Sequence, residues 1–70
     1  MYEPRNQLIR KKIIYLTDRV QENPLLQPIL DEYIHLQTIE EQRAMESVRQ
    51  LIPWVDVHEK EKLERILSIQ

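Results

Sequence analysis

Arg5, Lys12 and Arg19 recur every seven residues near the start of this chain and are its first pattern able to do chemistry. With Arg10 and Lys11 they form a basic cluster, and such groups contact phosphates in nonspecific nucleic-acid binding. The five charges scatter around a helix rather than sharing one face, and the sequence pI is about 5.6. No recognition helix bearing Asn, Gln and Arg follows a tight turn, as helix-turn-helix readers require. The preferred reading therefore pairs the basic edge with acidic positions on the following helix or on a neighbouring subunit. Phosphate contact by Arg5, Arg10, Lys11, Lys12 and Arg19 is the alternative.

Catalytic groups are sparse. The chain has no cysteine, and its two serines, Ser47 and Ser68, have no histidine near them in sequence. His35 and His58 lack a second ligand at metal spacing. Asp31-Glu32 and Glu40-Glu41 are adjacent pairs, which diverge around a helix instead of forming an acid/base dyad. Without glycine, neither a phosphate-cradling loop nor a dinucleotide fingerprint can be built. The expectation is a non-enzymatic protein with no cofactor and no metal.

The remaining candidates suit protein contact. Trp54, the only tryptophan, and Val55 follow Pro53 at a corner, and tryptophan is over-represented among interface hot spots. Ile14 and Ile39 lie off the main apolar stripes of their helices, while Met45 and Val48 lie on one.

These residues must be held by helices. Pro4, Pro24, Pro28 and Pro53 are the strong backbone breakers, because no glycine is present to supply positive-φ turns. Between them the chain is rich in Leu, Ile, Glu, Gln, Lys and Arg, mostly good helix formers. A first helix is expected over about 4–22, opened by Pro4 and closed by Asn23 in a left-handed conformation before Pro24. Its stripe is Ile9, Ile13, Leu16 and Val20. Arg5, Lys12 and Arg19 flank that stripe, where long basic side chains cover apolar surface. Leu25 and Leu26, in the proline-bounded connector, are expected to plug the end of the core.

A second helix is expected over about 28–52, stopped by Pro53. Ile29, Leu30, Tyr33, Ile34, Leu36, Ala44, Met45, Val48, Leu51 and Ile52 keep one phase along it. Gln37, Glu40 and Glu41 interrupt the face with polarity, and Thr38 with Glu41 matches a capping box, so a break near Thr38 is the alternative. A third helix is expected over about 57–69, capped by Asp56 with Glu59. Continuous, the second helix would be about 36 Å long and would overhang its neighbours. Its uncovered face needs a partner, and a second copy is the simplest one.

Seventy residues make one small domain, residues 1–70, of marginal stability alone. Charged residues at 31% and hydrophobic ones at 41% suit a folded chain rather than a disordered one. Met1-Tyr2-Glu3-Pro4 is followed by charge rather than an apolar run, and no apolar span is long enough for a bilayer. The reading is an all-α, three-helix chain, a helical hairpin plus a C-terminal helix, packing as a homo-oligomer with a dimer favoured. It is expected to be cytoplasmic, without membrane contact, and to act on another protein as an adaptor or regulator. A nucleic-acid-associated regulator and a structural subunit of a larger assembly are the alternatives.

Overall fold

The computed structural model describes residues 4–69, with four α-helices in succession. They are α1 (Pro4–Glu22), α2 (Gln27–Gln37), α3 (Glu41–Val55) and α4 (Lys60–Leu67). Single 3-10 turns, Pro24–Leu26 and Val57–Glu59, lead into α2 and α4. No strand occurs among the described residues. The chain is all-α as expected, but the three-helix count is corrected to four.

The difference lies at Thr38–Glu40, where the segment expected to be one helix folds back on itself. Continuing the helix would place Gln37, Glu40 and Glu41 in the middle of its apolar face. The break avoids this, and it does not use the capping box that marks the site in the sequence. The Thr38 hydroxyl donates to the carbonyl of His35 at 2.8 Å, closing α2. Glu40, extended at φ −158°, takes the N-cap of α3 without a side-chain cap bond.

All three reversals are built alike. Asn23, Glu40 and Asp56 are each extended, at φ −138°, −158° and −163°, immediately before the next helical segment. Among the described residues none has positive φ. Asn23 is thus not the left-handed cap expected of it. Its side-chain oxygen instead accepts from the Leu25 amide at 3.2 Å, capping the turn that follows. Asp56 does the same for His58 at 3.0 Å. Pro53 does not stop a helix either: α3 runs through it to Val55. The missing N–H falls in the last turn and on the outer side, where Arg49 and Pro53 are both exposed.

The helices run up, down, up and down, with α1 against α2 and α4, and α3 against α2 and α4. Leu16 of α1, Ile29, Leu30 and Tyr33 of α2, Ala44, Val48 and Ile52 of α3, and Leu63 and Leu67 of α4 are buried in one core. Leu26 closes one end of that core, as expected, whereas its neighbour Leu25 is exposed. The radius of gyration, 11.4 Å, is close to the roughly 11 Å of a compact single domain of this length. Among the described residues no helix is long and apolar enough to cross a membrane.

At eight residues α4 is too short to be stable by itself, so packing of its apolar stripe must hold it. Leu63 is fully buried there. Leu63→Ala is expected to lower stability by about 2–5 kcal/mol. Urea unfolding followed by circular dichroism measures this, and an unchanged midpoint would show that α4 does not contribute to the core.

Candidate interaction surface

The up-down order gathers the first and third reversals at the same end of the bundle. There Asn23 Nδ2 donates to Asp56 Oδ2 at 3.1 Å, tying one turn to the other. Arg19, in the last turn of α1, holds Glu59 from the second turn through Nη2 at 2.6 and 3.1 Å. Glu59 is buried by this contact. The capping-box spacing of Asp56 and Glu59 is therefore used only in part, because the carboxylate of Glu59 goes to Arg19.

On this braced end stand the two most exposed large apolar side chains of the described residues, Trp54 and Leu25, together with Val57. Trp54 is 88% exposed, Leu25 68% and Val57 58%, with Pro24 and Pro53 also exposed. Ser47 Oγ donates to Glu32 Oε2 at 2.8 Å and sets the antiparallel register of α2 and α3. Trp54 lies seven residues beyond Ser47, and Leu25 seven before Glu32, so both stand at the same end of the α2–α3 hairpin. Two helical turns past Ser47, Trp54 also sits on the side of α3 that turns toward α2.

The other expected contact residues are dispersed. Val55 is half-buried against the core. Ile39, 67% exposed, is at the opposite end of the bundle, in the turn between α2 and α3. Ile14, 58% exposed, is on the outer side of α1. Val48 is fully buried and Met45 half-buried against the core, so the chain itself covers the face that was expected to meet a partner. Leu25 and Val57 were missed by the sequence reading. Adjacent Leu25 and Leu26 cannot both point inward from one tight turn, and that was the available signal.

The basic cluster is divided as well. Lys12 is buried, with Nζ 3.4 Å from Glu41 Oε1 and 3.3 Å from Met45 Sδ. Arg19 is engaged with Glu59 and Glu22. Arg10 and Lys11 are exposed, and the side chain of Arg5 lies outside what the structure describes. The pairing expected with the second helical segment is seen at Lys12 with Glu41, whereas Arg19 pairs instead with Glu59 in the turn before α4. His35 and His58 are both exposed, and no group of three His, Cys, Asp or Glu residues able to hold a metal occurs among the described residues.

A further polar site lies in the interior. Tyr33 is completely buried, and neither its hydroxyl nor Glu41 Oε2 has a hydrogen-bond partner. No family model matches this chain, and neither curated proteins nor solved structures give a match.

Burial, and then the charge of Glu41, push the Tyr33 phenol well above its ordinary value. An acid kept protonated by the fold ionises more readily when unfolded. Its contribution is present below the unfolded value of about 10 and is lost as pH rises beyond it. Tyr33→Phe removes the unpartnered hydroxyl, so stability at neutral pH should be unchanged or rise by about 1 kcal/mol. The same substitution should flatten the loss of stability above about pH 10. Urea titrations of both forms at neutral and alkaline pH test this; a clear destabilisation at neutral pH would mean that the hydroxyl has a partner.

Proposed function

We propose that this chain is a non-enzymatic protein-binding module, a small adaptor or regulator, that docks through the end carrying Trp54, Leu25 and Val57. The observation that carries this reading is Trp54, 88% exposed in the last turn of α3 rather than on the corner expected after Pro53. A large aromatic side chain held out in water gains much from a partner that covers it. Its setting favours binding too. This end is stiffened by Pro53, by the Asp56 cap and by the bond between Asn23 and Asp56. An aromatic anchor on a rigid frame loses little freedom when it docks.

The phosphate-binding alternative has less support. Lys12 and Arg19 already neutralise Glu41 and Glu59 inside the bundle, which leaves Arg10 and Lys11 as its exposed charges with described side chains. Homo-oligomerisation through Met45 and Val48 also loses its premise. The overhanging helix of about 36 Å is replaced by two helices of about 16 and 22 Å packed on each other. Self-association would have to use other surfaces.

Trp54→Ala decides between anchor and local core. As an anchor, the substitution should weaken binding by about 2 kcal/mol or more. Folding stability should then change by no more than about 0.5 kcal/mol. The emission of Trp54 should be that of an indole in water and shift to the blue on binding. Urea unfolding, tryptophan fluorescence and a binding isotherm on the same two proteins give all three quantities. A stability loss of about 3–5 kcal/mol with unchanged affinity per folded molecule would instead mean that Trp54 belongs to the core.

A further inference from the structure

The Trp54 end carries a charge of definite sign. Its two turns and their flanks, residues 19–31 and 53–61, hold Glu22, Asp31, Asp56, Glu59 and Glu61 against Arg19 and Lys60, a net charge of −3. Glu59 is buried by Arg19; Glu22 and Glu61 are exposed, paired with Arg19 and Arg65, and Asp31 and Asp56 are the other carboxylates of this end. The opposite sign lies on the outer side of α1. At about 100° per residue, Arg10, Ile14 and Lys11 share the sector turned away from buried Leu16. All three are exposed, Tyr15 stands next to Lys11 at 46% exposure, and Asp18 lies a turn beyond. One molecule thus bears an acidic apolar end and a basic apolar side, and its own fold buries neither.

We propose that these two surfaces are each other's partners in different copies of the chain. The Trp54 end of one copy seats against Arg10, Lys11 and Ile14 on α1 of the next. The inference rests on the reading of the Trp54 end as a docking surface and names what occupies it. Apolar contact between Trp54, Leu25 and Ile14 supplies most of the affinity, and the carboxylates facing Arg10 and Lys11 steer and orient it. The two surfaces cannot meet within one chain. Ile14 stands about 12 Å back from the end of α1 and faces outward. The contact is therefore end-to-side, and every copy added leaves one surface of each kind unused. Such a heterologous contact grows into rings or open chains instead of stopping at a dimer.

The test is sedimentation of the full chain from micromolar to millimolar concentration, with two charge-reversed variants. One is Arg10→Glu with Lys11→Glu, and the other is Glu22→Lys with Glu61→Lys. Glu22 and Glu61 are exposed and pair within their own helices, Glu22 with the same Arg19 that holds Glu59, so circular dichroism on each variant verifies the fold. The wild type should grow past dimer as concentration rises, and less so at high salt. Each variant alone should remain monomeric, while an equimolar mixture should associate again, because the reversed side of one meets the reversed end of the other and their unaltered surfaces also remain complementary. Trp54→Ala should abolish growth in every case. Assembly that stops at a dimer and ignores both charge reversals would overturn the proposal in favour of a symmetric contact between Trp54 ends. A wild type that stays monomeric while Trp54 binds a different protein would also overturn it, with the docking reading intact. Growth that responds to the charge reversals but not to Trp54→Ala would reject the docking reading itself.

Discussion

An apolar stripe that keeps one phase from Ile29 to Ile52 must be covered, and the reversal at Thr38–Glu40 is how this chain covers it. As a straight rod the stripe would need a second molecule along its length. Folded at its polar interruption, it becomes two helices whose halves face each other, with Ile29 and Tyr33 packed in the same core as Val48 and Ile52. The reversal also fixes what the outer helices must do. α1 and α4 close the remaining sides of the hairpin, and Leu16, Leu63 and Leu67 are their contributions to the core. Once this geometry is set, the first and third turns fall at one end and the middle turn at the other.

Charges inside so small a bundle serve alignment more than stability. Desolvating an ion pair offsets much of its attraction, so Lys12 with Glu41 and Arg19 with Glu59 add little net free energy over apolar packing. What they restrict is register. A slip of α1 along its own axis would leave Glu59 buried without its guanidinium and Lys12 without its carboxylate, and unpaired buried charge is strongly unfavourable. Apolar residues along α1 would tolerate such a slip far better, because aliphatic side chains are interchangeable in a way that ion pairs are not. α1 is thus held in one position by two paired groups seven residues apart, the spacing that stood out in the sequence.

Much of this was legible in the residues. Prolines and the absence of glycine indicated helices and where most of them are joined, though not that Asn23 would be extended rather than left-handed, and the basic flank of α1 indicated acidic partners. The break in the long apolar stripe was legible only as an alternative, because a hairpin can preserve helical phase on both sides of its turn. Persistence of phase therefore could not distinguish one helix from two. Pro53 was over-read: one missing N–H near a helix end, on the wet side, does not end the helix. Val48 and Met45 would be available to a partner only on a straight helix. The exposure of Leu25 and Val57 depends on short 3-10 turns, whose side-chain directions follow neither the helical nor the strand period.

The rigidity of the exposed end follows from the same lack of glycine that shapes the turns. A reversal that uses positive φ commonly depends on glycine, whose freedom loosens its neighbours. Here Asn23 and Asp56 make the reversals in extended conformations, and each caps the turn that follows it. Capping consumes one side-chain oxygen of Asp56, and its other oxygen accepts from the amide of Asn23. The two caps are thereby a single connected structure, and Trp54 stands beside it on the last turn of α3. A local rearrangement of either turn would break its own cap and the bond that ties it to the other. The indole stays in water in the isolated chain because the frame beneath it has no inexpensive way to fold it in.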